Sequence, residues 1–150
     1  MMVTSTFEQN VGIIDDAPFV CNINDGVNLG LTDINYCCNV MSYNLHGFNQ
    51  GKTLLVDVLN SGSFDFIFVQ EHWLSKYNLH VLNDLNPGYS CVATSAMDDH
   101  LSKTILRGRP FGGVAVLFKQ KFLTAVKTLY CSERVVCISC GDLVVWASHL

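Results

Sequence analysis

The stretch Tyr36–Trp73, YCCNVMSYNLHGFNQGKTLLVDVLNSGSFDFIFVQEHW, decides the fold. Tyr36 to Tyr43 (YCCNVMSY) reads as a strand. Asn44 to Gly51 (NLHGFNQG), with its glycines and amides, reads as a loop. Lys52 to Asn60 (KTLLVDVLN) places Leu54, Leu55, Val58 and Leu59 on one helical face, and Ser61-Gly62-Ser63 ends that helix. Phe64 to Val69 (FDFIFV) is aromatic and β-branched with little polar content, the composition of a buried strand. It runs straight into Gln70-Glu71-His72-Trp73. Strand, helix and strand predict a βαβ-like start, with an acid at the C-terminal end of the second strand.

Downstream the texture changes. Leu79 to Leu85 reads as a short helix and Asn86-Pro87-Gly88 as a turn. Tyr89 to Thr94 (YSCVAT) reads as a strand. Ser95 to Pro110 is polar and basic, an exposed loop. Gly112-Gly113 opens the strand Val114 to Phe118 (VAVLF), and Val126 to Tyr130 forms another. Arg134 to Ser139 and Leu143 to Ser148 are strands joined through Cys140-Gly141-Asp142, a hairpin signal. Upstream, residues 1–34 show neither helical nor strand periodicity and read as a poorly structured leader. The expected fold is α/β, with residues 35–150 forming a sandwich of two packed β-sheets flanked by helices.

Composition narrows the class. The chain has 150 residues, enough for one domain or part of one. Hydrophobic content is 49% and mean hydropathy +0.28, so the chain buries a core. Charged residues make up only 15%, where about a quarter is usual; one reading is an apolar surface that normally packs against further sequence. No apolar run is long enough to span a membrane, and the N-terminus lacks the pattern of a signal peptide. The expected location is intracellular, nuclear or cytoplasmic. The seven cysteines include one C-x-x-C, Cys137 and Cys140. It has no second pair for zinc and sits in a β-like run rather than at a helix start, so free thiols are expected.

The net charge of −4 is unevenly placed. Residues 1–50 hold Glu8, Asp15, Asp16, Asp25 and Asp33 and no Lys or Arg. Lys103, Arg107, Arg109, Lys119, Lys121 and Lys127 follow without an intervening acid. That run is either a solvated surface or a phosphate-facing edge, for which local positive potential matters more than the total.

Glu71 is the first candidate for chemistry, because a carboxylate after so apolar a run is not expected without a partner. A strand end is also a rigid platform for a ligand to a hard cation. The plain alternative is a surface acid capping a strand. Asn44 likewise ends an apolar strand, and neighbouring strands would place it close to Glu71; an ordinary turn asparagine is the alternative. His149 ends the last strand, where a lone histidine is commonly structural. His46, His72, His80 and His100 share no ligand-like spacing on one element and stand as background.

These residues carry a family resemblance. Met41 to Gly51 (MSYNLHGFNQG) resembles the first motif of the endonuclease/exonuclease/phosphatase superfamily, where an Asn ends the first core strand. Asp65 to Leu74 (DFIFVQEHWL) resembles its second motif, where a strand ending in Gln-Glu presents the glutamate to a divalent metal. Arg109 to Leu117 (RPFGGVAVL) resembles the glycine pair and strand that follow. Within the superfamily the wording is most similar to the endonuclease domains of non-LTR (LINE-type) retrotransposons, over about residues 37–150. The implied fold is a partial, truncated four-layer α/β sandwich. The implied activity is hydrolysis of DNA phosphodiesters with Mg2+ or Mn2+.

The resemblance assigns Glu71 to the metal and Asn44 to the phosphate and metal site. It makes His149 the group near the scissile phosphate, and Lys103, Arg107 and Arg109 fit a polyanionic substrate. Some relatives carry an Asp two residues after the first Asn; here that position is His46. The family's later motifs, an Asp-x-Asn pair, a further Asp and an Asp-His, do not follow the Leu143–Leu150 strand in this sequence. The resemblance therefore implies an incomplete catalytic set, inactive by itself and lacking the C-terminal half of its domain. Two other readings remain: an inositol-phosphate or sphingomyelin phosphodiesterase, and a non-catalytic half-domain.

Overall fold

The computed structural model describes residues 19–27, 36–97, 111–141 and 143–148. A five-stranded sheet has the order β1-β2-β3-β5-β4. Its strands are β1 (Phe19–Val27), β2 (Tyr36–Asn44), β3 (Phe66–Gln70), β4 (Tyr89–Thr94) and β5 (Val114–Lys119). A three-stranded antiparallel sheet holds β6 (Val126–Ser132), β7 (Val135–Cys140) and β8 (Leu143–Ser148) in chain order. Helix α1 (Phe48–Ser61) links β2 to β3, and the short α2 (His80–Asn83) precedes β4.

The βαβ start is present. β2 and β3 are parallel, with Val40 opposite Phe66 and Asn44 opposite Gln70. Parallel neighbours need a crossover, and α1 supplies it. The helix begins at Phe48, earlier than the sequence pattern places it, because Gly47 at φ +98° turns the chain and its carbonyl accepts the amides of Gln50 and Gly51. Gly62, at φ +63°, closes the other end through its amide to the Leu59 carbonyl. Gly51, Leu55 and Leu59 form the buried line at i, i+4 spacing, with Val58 beside it. Leu54, expected on that face, lies a helical step away and is 42% exposed.

β3 is buried on both faces, which accounts for its unbroken apolar run. Ile67 and Val69 face the helices with Met41, Leu55, Leu59, Leu82 and Leu117. Phe66 and Phe68 face the second sheet with Val116, Phe118, Val136, Ile138 and Cys140. Phe66 also stacks on Phe122 at 5.2 Å between ring centroids. The result is the expected α/β sandwich of packed sheets with helices outside. Among the described residues the helices cover the five-stranded sheet. The outer face of the smaller sheet leaves Tyr130, Val144 and Trp146 exposed.

Some readings change. Part of the presumed leader is a strand: β1 pairs antiparallel with the edge of β2, Val20 opposite Met41 and Ile23 opposite Cys38. Backbone pairing holds it, and such pairing leaves no signature in side-chain periodicity. Residues 1–18 and 28–35 lie outside the described residues. The exposed loop expected from Ser95 opens with buried residues, Ser95, Ala96 and Met97; 98–110 are outside the description. Cys91, Cys131, Cys137 and Cys140 are free thiols. Cys137 and Cys140, three apart on one strand, fall on opposite faces and form no dithiol site. Among the described residues no helix is long and apolar enough to cross a membrane.

Candidate active site

The parallel register brings Asn44 and Gln70 side by side, so the loops leaving β2 and β3 emerge at the same sheet edge. They remain zipped beyond the strands. The amide of Leu45 donates to Gln70 O (2.9 Å), that of Gly47 to Glu71 O (2.8 Å) and that of Phe48 to His72 O (2.9 Å). The Trp73 amide donates to Gly112 O at 3.0 Å, tying the glycine pair to the same edge. Gln70 Nε2 donates to Ser42 Oγ at 3.0 Å. All three sequence motifs therefore meet here.

The backbone at this edge is strained. His46, Glu71 and Trp73 have φ values of +48°, +54° and +56°. Left-handed geometry at non-glycine residues costs about 1–3 kcal/mol each and concentrates at functional sites, where the surroundings over-determine it. The zipped loops provide that over-determination. Glycines make the room: a Cβ on Gly47 would lie 2.5 Å from the Trp73 ring, and one on Gly113 2.4 Å from the His72 ring.

Glu71 is a partly exposed carboxylate, its side chain at 22%, and its Oε2 stands 3.6 Å from His46 Nδ1. Asn44 Oδ1 accepts the His46 amide at 3.0 Å, which shapes the turn. Sequence reasoning thus placed Glu71 and Asn44 correctly at one edge, and it left His46 aside although the fold brings it to the carboxylate. His72 was left aside too. It is fully buried, with Leu74 N donating to Nδ1 and Nε2 facing Thr94 O, each at 3.0 Å. Burial holds its pKa below the usual histidine value, against the opposing backbone bonds to Thr94 and Val114. A lone histidine after Glu71 carries no sequence signal for this.

Two lysines of the basic run belong elsewhere. Lys119 and Lys121 reach Asp65 Oδ1 at 3.1 and 3.2 Å, and Asp65 Oδ2 accepts the Asn39 amide. Asp65 sits at the other end of β3, roughly 20 Å of extended chain from Glu71. These lysines neutralise a buried acid rather than face a phosphate at the Glu71 edge. Lys103, Arg107, Arg109 and His149 lie outside the described residues. Asp84-Leu85-Asn86 has an Asp-x-Asn spelling but is a turn: Asn86 Oδ1 accepts the Gly88 amide, and its Nδ2 donates to Asn60.

The donor set suits a hard cation in part. Among the described residues no group of three or more His, Cys, Asp and Glu side chains is arranged to hold a metal. Glu71 by itself offers a carboxylate of the kind a hard divalent cation takes, since such a cation keeps waters and binds through one or two carboxylates plus substrate phosphate.

The sequence profile of the endonuclease/exonuclease/phosphatase family matches residues 41–144, a span holding Asn44, Glu71 and the glycine pair. No curated protein matches the chain. Among solved structures it is similar to the 3′ phosphatase NExo from Neisseria bound to a product DNA hairpin, at 15% identity and a TM-score of 0.49, covering 73% of this chain and 40% of that one. It is similar too to the 3′-5′ exonuclease NExo of Neisseria meningitidis, at 16% identity and a TM-score of 0.47, covering 71% of this chain and 39% of that one. The chain thus spans about two-fifths of the length of these structures.

Proposed function

This chain belongs to the endonuclease/exonuclease/phosphatase family, and on that premise we propose that it carries the cation-holding part of a site that hydrolyses DNA phosphodiesters, of the retrotransposon endonuclease type. The observation that carries the reading is Glu71: a part-exposed carboxylate in left-handed backbone, directly after a buried strand whose last residue, Gln70, pairs with Asn44. Enzymes of the family generally depend on a divalent metal, and Glu71 is the residue that would hold Mg2+ or Mn2+ here. A bound cation supplies charge stabilisation on the phosphate during in-line attack by water.

Asn44 has its amide oxygen engaged by the His46 amide, so its Nδ2 donors are the part of the group suited to a phosphate oxygen. Its donation would orient the scissile phosphate against Glu71. The motif wording Tyr43-Asn44-Leu45-His46-Gly47-Phe48-Asn49 and Gln70-Glu71-His72-Trp73-Leu74 supports the retroelement type. A DNA substrate fits the cationic Lys103, Arg107 and Arg109, the last of which stands three residues before Gly112 in the sequence; nuclear or cytoplasmic action is part of the same proposal. His149 is proposed as a group near the scissile phosphate. The carboxylate–histidine pair that would deprotonate the water has no counterpart among the motifs found. The chain by itself is therefore proposed to bind cation and DNA without measurable turnover.

The test is nicking of supercoiled plasmid with Mg2+, alongside Mn2+ binding, by the folded chain and its Glu71→Gln variant. The expected result is Mn2+ binding lost in the variant and no nicking above its background. Nicking that depends on Glu71 overturns the claim of inactivity. Mn2+ binding unchanged in Glu71→Gln overturns the site.

A further inference from the structure

We propose that His72 is the positioning residue of this site, a neutral bracket that holds Glu71 in its left-handed turn. The proposal rests on the reading that Glu71 binds a divalent cation. His72 lies between Glu71 (φ +54°) and Trp73 (φ +56°), so the strained segment pivots on it. Its side chain is fully buried. The Leu74 amide donates to Nδ1 at 3.0 Å, which leaves that nitrogen without a proton and puts the proton on Nε2. Nε2–H then donates to the Thr94 carbonyl at 3.0 Å, at the end of β4. The backbone carbonyl of the same residue accepts the Phe48 amide from the start of α1.

One residue therefore joins the β3 exit, the β4 end and the start of α1. The floor of its pocket is Gly113, where a Cβ would meet Cε1, Nε2 and Nδ1 at 2.4, 2.6 and 2.8 Å. The turn cannot relax toward ordinary backbone without dragging the ring from this slot and breaking both ring hydrogen bonds. A merely space-filling residue would do neither job, since an alkyl group leaves the Thr94 carbonyl and the Leu74 amide without those bonds. The tautomer is thus a structural requirement, and it specifies which side chain can substitute: glutamine offers one donor and one acceptor, leucine offers none.

The experiment uses the full chain with Trp146→Phe, which leaves Trp73 as the only tryptophan of the two. Mn2+ is titrated while quenching of Trp73 emission is followed, in this parent and with Glu71→Gln, His72→Leu and His72→Gln added singly. The expected result is saturable quenching in the parent and none in Glu71→Gln. His72→Leu should weaken Mn2+ by about 10- to 100-fold, the range for residues that orient a ligand, and His72→Gln should recover most of that loss. Unchanged quenching in Glu71→Gln overturns the cation reading and the proposal with it. Parent-like affinity in His72→Leu, or His72→Gln as weak as His72→Leu, overturns the proposal alone. If His72→Leu does not fold, the ring 15N shifts of the unaltered chain decide at neutral pH. A proton on Nε2 alone supports the bracket, and a proton on Nδ1 overturns it.

Discussion

Replacing Gly113 by alanine isolates the contact that seats His72. Gly113 has φ +86°, and alanine in left-handed backbone costs about 1–2 kcal/mol. The new methyl would also lie 2.4 Å from His72 Cε1 and 2.6 Å from Nε2. The ring is fully buried and hydrogen-bonded at both nitrogens, so it cannot swing aside cheaply; overpacking of this kind costs about 1–3 kcal/mol. Together these give about 2–5 kcal/mol, a large part of a typical stability of about 5–15 kcal/mol. Gly62 is the control. Its φ is +63°, and a Cβ there meets nothing within 4 Å, so Gly62→Ala carries only the backbone cost. The loss of chain entropy in the unfolded state on going from glycine to alanine is common to both variants and cancels. Urea unfolding followed by circular dichroism should place the Gly113→Ala midpoint well below that of Gly62→Ala, with similar slopes. Equal midpoints would refute the packing argument, because both variants would then be paying for backbone alone.

Other outcomes follow from the same contacts. Phe66→Ala should cost about 3–5 kcal/mol in urea unfolding, since the ring is fully buried between the sheets and stacked on Phe122; a loss under about 1 kcal/mol contradicts that core. Tyr89 donates to the Phe64 carbonyl at 2.6 Å, and burial, with the nearby Asp65 charge, raises its pKa. A raised folded pKa gives stability that is full below the unfolded value of about 10 and is lost as pH rises through the folded value. Alkaline unfolding should accordingly be less steep in Tyr89→Phe, and an unchanged profile rejects the assignment. Burial pushes the Cys91 thiol up to about 12, whereas Cys131 is exposed. Iodoacetamide at pH 8 should modify Cys131 in the folded chain and spare Cys91, read by peptide mass; equal labelling contradicts the burial.

Much of the frame was legible along the chain. The apolar run before Gln70 identified a buried strand, and the structure shows why it is unbroken: both of its faces are packed, so neither side can spare a polar position. The leucine spacing after Gly51 identified the crossover helix, and an acid directly after β3 marked Glu71. Local pattern is enough for these because each depends on neighbours a few residues away. β1 was missed for the opposite reason: its backbone pairing with β2 is long-range and leaves no alternation to read. Lys119 and Lys121 belong to a run left open between a solvated surface and a phosphate-facing edge, yet both turn to Asp65, since charge order along a chain does not say which end of a sheet a side chain serves.

The sequence by itself carried the α/β class and the motifs of the endonuclease/exonuclease/phosphatase family, and it made Asn44 and Glu71 the candidate pair. Only the tertiary structure decided how that pair is held. The parallel register that sets Asn44 beside Gln70, the left-handed turn at Glu71 and the burial of His72 against Thr94 and Gly113 each join segments far apart in the chain. Their geometry exists only once the loops of β2, β3 and β5 are packed at one edge, where neighbouring backbone can over-determine a conformation that no local preference would choose.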